Sequence, residues 1–201
     1  DFFLSQGLDE VPSTGARSVS VPGAVAAWVD AHERYGSKPF GQLLEPAILY
    51  ASEGFPVSTR LGMDFEAQGG ALNEPGRALY LPGGSAPPLG SLLKNEALGA
   101  TLARIAHGGK DAFYRGSVAQ QLSAFIEAEG GHLRASDFAA HTSTWVTPLR
   151  NDYLGYTFLV MPPNTQGVAQ LTYMEMAKDH PIESLGHNTA AYLHTMIELK
   201  K

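Results

Sequence analysis

The sequence has no cysteine. That excludes disulfides, thiolate metal sites and a cysteine nucleophile. It also has no apolar run approaching the about 20 residues that a membrane-crossing helix needs. Basic runs of the kind that grip phosphate backbones are missing too, since Lys200-Lys201 is too short, so nucleic acid is not an expected partner. Charged residues make up 17% of the chain and the net charge is −6; a mildly acidic surface of this kind serves solubility. The opening Asp1-Phe2-Phe3-Leu4 lacks the basic region and cleavage site of a secretory leader, which leaves a cytoplasmic protein or a longer gene product. What remains is an ordinary globular composition, 44% hydrophobic over 201 residues. This is enough for one domain, or a large part of one, burying about two-thirds of its unfolded surface.

Signatures of chemistry are equally sparse. No HExxH, GxSxG, P-loop or GxGxxG occurs, and no internal repeat. His187 and His194 are seven apart and can share a helix face, but no carboxylate at matching spacing completes a metal site, so they read as surface or core residues. Glu127 with Glu129, and Asp64 with Glu66, are carboxylate pairs of the kind used in acid–base work; a hydrated helix surface explains both more simply. In Asn164-Thr165-Gln166-Gly167 a strand passes into a helix, whose free N–H groups favour an anion. A plain helix cap accounts for the same residues and is the preferred reading.

Periodicity predicts mostly helices. Pro22 suits a first helical turn, followed by Val25, Trp28, Val29 and His32 at helical spacing and a stop at Gly36. A second helix covers 39–53, with Leu44, Ile48 and Ala51 on one face and Gly54 closing it. Residues 69–92, crowded with Gly and Pro, read as irregular. Leu98, Leu102 and Ile105 mark a helix closed by Gly108-Gly109. Val118, Leu122, Phe125 and Ile126 mark another, closed by Gly130-Gly131. Ser136-Asp137 reads as the N-cap pair of a short helix. The period then changes: Trp145 to Leu149, a turn at Arg150-Asn151-Asp152, and Tyr153 to Val160 predict a β-hairpin. Asn164-Thr165 is placed to cap a helix bearing Val168, Leu171 and Met174. A last helix from about Thr189 reads as interrupted at Lys201. The fold class is α+β, mostly helical with one clear β-hairpin.

Several stretches in order resemble the gamma-glutamyltranspeptidase family. They include Val21-Pro22-Gly23 leading into Ala24 to Trp28, His32 to Gly36, Pro46-Ala47-Ile48, Glu53 to Val57, Leu98 to Leu102, Asp111 to Gly116, Gly130 to Leu133, Pro148-Leu149, Tyr153 to Tyr156, Met161 to Asn164 and His194 to Glu198. None is specific alone; their shared order over nearly the whole chain is. The resemblance implies an N-terminal-nucleophile hydrolase with an αββα sandwich. In that family a precursor cuts itself, and the new N-terminal threonine of the small subunit attacks a gamma-glutamyl amide with its own α-amine as base. On this resemblance, residues 1–201 are a single partial domain from the middle of the large subunit, and no catalytic residue carries over to this chain: catalytic and metal-binding residues are none, substrate-binding residues unknown, cofactors none. Expected partners are the small subunit, the remaining large-subunit segments and a small gamma-glutamyl substrate. The expected location is periplasmic or extracellular, cytoplasmic being the alternative. The run Asn164-Thr165-Gln166-Gly167-Val168 replaces the Ser-Ser-Gly-Gly type run common in the family, which suits acylase-like members. A non-catalytic helical binding module is the rival from another class.

Overall fold

A computed structural model describes residues 2–201. Its elements are α1 (Phe2–Ser5), α2 (Ala24–Tyr35), α3 (Phe40–Glu53), β1 (Phe55–Pro56), α4 (Thr59–Gln68), α5 (Glu74–Tyr80), β2 (Leu92–Leu93), α6 (Glu96–Tyr114), α7 (Ser117–Ala128), α8 (Ala135–Ala140), β3 (Leu149–Tyr153), β4 (Tyr156–Val160), α9 (Gly167–Ala177) and α10 (Ala190–Lys200), with short 3-10 turns between. The α+β class stands. The chain packs as two compact units, one ending at Ser143 and one running Thr144–Lys201.

In the first unit the apolar stripes predicted from periodicity meet in one core. Val25 and Ala26 of α2, Ile105, Phe113 and Tyr114 of α6, Val118 and Ala119 of α7 and Phe138 of α8 are buried together, with Phe40 and Leu44 of α3 packed against them. Two helices approach closely at Gly99, where a Cβ would stand 2.3 Å from Ser52 Oγ of α3. Tyr114 ties the entry of α2 to α6. Its hydroxyl donates to Pro22 O at 2.6 Å and accepts from Ala26 N at 3.0 Å. The helix therefore starts at Ala24 behind Gly23, and Pro22 precedes its first turn instead of occupying it.

Other expectations are revised by specific residues. Gly108-Gly109 does not close α6. Gly109 breaks the regular geometry at φ 55° and ψ −141°, and the helix resumes so that Phe113 and Tyr114 reach the core. The segment 69–92 holds α5, capped by Asn73, whose side chain accepts from Gly76 N at 3.1 Å. It also holds β2, antiparallel to β1 with Phe55 opposite Leu93; strands of two residues are too short for alternation to mark. Asp137 sits in the first turn of α8, where its carboxylate accepts from Arg134 N at 2.8 Å, so the chain enters the helix at Arg134.

In the second unit β3 and β4 pair antiparallel, Asn151 facing Phe158. The turn lies at Leu154-Gly155, not at Arg150-Asn151-Asp152. Both turn residues have positive φ, 50° and 79°, the geometry that matches the twist of a tight hairpin. The polar triplet is strand instead. Its alternation puts Asn151 inward, where Nδ2 donates to Leu171 O at 3.1 Å and Glu175 Oε2 at 2.8 Å of α9. Arg150 and Asp152 face outward and pair with each other at 2.9 Å. Among the described residues of this unit only Asn151, Leu171 and Ala177 are buried.

The chain exposes 13,721 Å². Two separate closed bodies of these sizes would expose about 10,800 Å². Large apolar side chains are among the exposed ones: Leu159 is 62% exposed and Ile197 58%.

Candidate functional site

The strand-to-helix turn between β4 and α9 is wound tightly. Thr165 Oγ1 donates to Met161 O at 2.9 Å and accepts, at 3.4 Å, from Gly167 N. The peptide joining Pro163 to Asn164 is cis. A Cβ on Gly167 would lie 2.7 Å from both Met161 O and Val160 Cβ, so α9 begins pressed against the end of β4. Gln166, not Asn164 or Thr165, is the residue before the helix, and its side chain makes no cap bond. Thr165 therefore braces the turn and, through its long bond from Gly167 N, also takes up the first helical N–H, while Asn164 does not stand next to the helix.

The carboxylate pairs are engaged in surface contacts. Asp64 pairs with Arg60 at 2.9 Å and Glu127 with Arg134 at 3.1 Å. His187 lies ahead of α10, its ring 5.9 Å from Tyr192, while His194 is on the helix; the two do not share a helix face. Among the described residues no group of three or more His, Cys, Asp or Glu is arranged to hold a metal ion.

The structure assembles one polar cleft that the sequence did not flag. It lies within the first unit, has a volume of about 430 Å³, and is walled by α2, the kink of α6 and the strand-like exit from α8. Lys110 Nζ, just past the Gly109 kink, donates to the Asp30 carboxylate of α2. Hydrogen bonds from Lys110 and then Ser143 hold Asp30 below the usual carboxylate range, and the bond to Asp30 raises Lys110 above its own. His141 stacks on the Tyr114 ring with centroids 5.1 Å apart. His141 Nε2 is buried without a hydrogen-bond partner among the described residues, so no imidazole relay runs from it to Ser143. The cleft clamps α2 to α6 by charge. No sequence signal could announce it, because its two charges are 80 residues apart.

The clamp has a pH signature. A carboxylate with a lowered pKa stabilises the fold above about pH 3.9, and a lysine with a raised pKa does so below about pH 10.4. Within that window Asp30→Asn should lower the urea midpoint. As pH falls below about 3.9 and then through Asp30's own lower value the native carboxylate also loses its charge, so the midpoints of the two proteins should converge. A gap that does not narrow as the pH falls below about 3.9 would mean that the ion pair contributes nothing.

Comparison with known proteins adds the following. The sequence profile of the family described as Gamma-glutamyltranspeptidase matches residues 1–201. The glutathione hydrolase-like YwrD proenzyme of Bacillus subtilis is 32% identical over 199 residues, covering 98% of this chain and 38% of that protein. The solved gamma-glutamyltranspeptidase of Helicobacter pylori superposes with a TM-score of 0.88 at 25% identity, over 97% of this chain and 58% of that one. The cephalosporin acylase of Bacillus halodurans also gives 0.88, at 31% identity, over 99% and 38%. The chain thus spans well under half the length of the Bacillus subtilis relative. No helix among the described residues is long and apolar enough to cross a membrane.

Proposed function

The chain belongs to the gamma-glutamyltranspeptidase family, and from that premise we propose that it is the middle of the large subunit of an enzyme that cleaves gamma-glutamyl amides. The family match over residues 1–201 carries the reading. In the proposed reaction an N-terminal threonine outside this chain attacks the gamma-carbonyl, its proton passing to its own α-amine. The amide bond breaks, the leaving amine takes the proton, and the acyl group rests on the threonine as an ester. Water or an acceptor amine then attacks that ester and frees the threonine. Backbone donors are proposed to hold the oxyanion at both stages. Residues 1–201 supply scaffold to this chemistry and should be inactive alone.

The scarcity of buried residues in 144–201 and the exposed large apolar side chains favour one domain completed by other segments of the same precursor over a self-standing binding module. A two-stranded hairpin is marginal in water without further sheet or helix cover. A second reading, an acylase acting on another amide side chain, is favoured by two observations. The likeness to the cephalosporin acylase is as close as that to the transpeptidase, and the turn reads Asn164-Thr165-Gln166-Gly167. A periplasmic or extracellular location is part of the proposal.

Intact mass and activity of the full-length gene product on gamma-glutamyl-p-nitroanilide test it. Two chains, the smaller beginning with threonine, and release of nitroaniline are expected. Cleavage without nitroaniline would favour the acylase reading. An uncut, inactive product would sink the enzyme.

A further inference from the structure

Between β1 and β2, helix α5 and the Gly-rich turn after it lie against the end of α4 and enclose a cavity of about 390 Å³. Its backbone walls are tied by hydrogen bonds. Leu72 N donates to Gly69 O at 3.3 Å, and Leu81 N donates to Arg77 O and Gly84 N to Leu81 O, both at 2.8 Å. At Gly69 a Cβ would stand 2.5 Å from Leu81 Cδ1, so the two ends of this segment press together. Phe65 packs on Tyr80, ring centroids 5.4 Å apart, and gives the cavity an apolar wall. A frame held in this way is set before any ligand arrives.

Two opposite charges face the cavity without ionic partners. The Arg77 guanidinium has five N–H donors. Its one hydrogen bond among the described residues is a long one, to Gly70 O at 3.5 Å. Glu66 makes neither a hydrogen bond nor an ion pair among the described residues, and the nearby Arg60 is taken by Asp64. Arg77 and Glu66 thus line one cavity and do not pair with each other.

We propose that this cavity binds a small zwitterion, a free α-amino acid or a dipeptide, with its carboxylate on the Arg77 guanidinium and its ammonium on Glu66. An arginine fork takes a carboxylate by two parallel bonds. The separate carboxylate of Glu66 selects a ligand that also carries a cation. A purely anionic ligand would meet Glu66 with like charge, and a purely cationic one would meet Arg77 in the same way. Ser85 adds a hydroxyl at the same cavity, unpaired among the described residues and able to bond to either end of the ligand. The volume lies near the small end of the range of about 300–1,000 Å³ that ligand cavities span, as a ligand of this size requires.

Hydrogen exchange of the full-length protein, read by peptide mass, tests it. The probes are L-alanine and L-alanyl-L-alanine, each at about 10 mM, enough to fill a site of millimolar affinity. At least one should slow exchange in residues 69–86 by about tenfold, and the comparison of the two tells amino acid from dipeptide. N-acetyl-L-alanine, which lacks the ammonium, and L-alaninamide, which lacks the carboxylate, should give no slowing. Arg77→Gln and Glu66→Gln should each abolish the effect. Both side chains are exposed, so exchange in α6 should match that of the unaltered protein and report an intact fold. Unchanged exchange with both probes would overturn the proposal. Slowing that persists in the two variants would overturn it as well, as would slowing by the singly charged analogues equal to that by the zwitterions. The readout is local to 69–86 and needs neither self-cleavage nor nitroaniline release, so its failure would leave the enzyme reading as it stands.

Discussion

Phe138→Ala is expected to lower the stability of the unit ending at Ser143 by about 3–5 kcal/mol, the usual cost of emptying a large aromatic site in a core. Phe138 is 0% exposed, and it is the one buried residue of α8. Its ring faces Phe113 with centroids 6.3 Å apart. A six-residue helix cannot persist on backbone bonds alone, so this side chain holds α8 to the core. Loss of α8 would also free the exit to His141 and Ser143, which wall the charged cleft. Urea unfolding followed by Trp28 fluorescence gives the number. Phe138→Leu, which keeps most of the volume, should recover most of the loss. A loss below about 1 kcal/mol for the alanine variant would show that the core closes around the gap.

Gly167→Ala should cost about 2–3 kcal/mol, near the top of the range for overpacking. The added methyl meets Met161 O and Val160 Cβ at 2.7 Å and Val160 Cγ2 at 2.8 Å. One of these is backbone, so relief requires that α9 move off the end of β4. That movement would pull Leu171 O and Glu175 from Asn151. The full-length variant should therefore show both a lower midpoint and lower activity, while Gly70→Ala, where a Cβ meets nothing within 4 Å, should stay within about 0.5 kcal/mol. Equal behaviour of the two variants would mean that the turn is looser than its contacts indicate.

The sequence was most legible where one physical signal acted alone. The long helices α2, α3 and α7 lie where their apolar spacing and closing glycines put them, because a stripe facing a core needs no distant information. Legibility failed where two local signals competed. Arg150-Asn151-Asp152 has turn composition, yet Asn151 finds two acceptors on α9, one of them buried, that outweigh its preference for a turn. Gly108-Gly109 has stop composition, yet the burial of Phe113 and Tyr114 carries the helix on. The charged cleft was illegible because Asp30 and Lys110 meet only after folding. For the function, composition and motifs excluded classes of chemistry, and the ordered resemblance supplied the family; no local motif named an active site.

The excursion between β1 and β2 leaves and returns through one narrow neck. Asn95 N donates to Ala51 O at 2.8 Å, Phe55 and Pro56 pair with Leu93 and Leu92, and Val57 N donates to Ser91 O while Val57 O accepts from Gly90 N, both at 2.9 Å. Everything from residue 58 to 89 hangs beyond that neck. Closing a loop costs only about 0.6 kcal/mol more for each doubling of its length. The neck therefore insulates the core from changes of length beyond it. Lineages can lengthen, trim or exchange this appendage, and so vary what the first unit presents to its surroundings, without renegotiating how α3 and α6 pack.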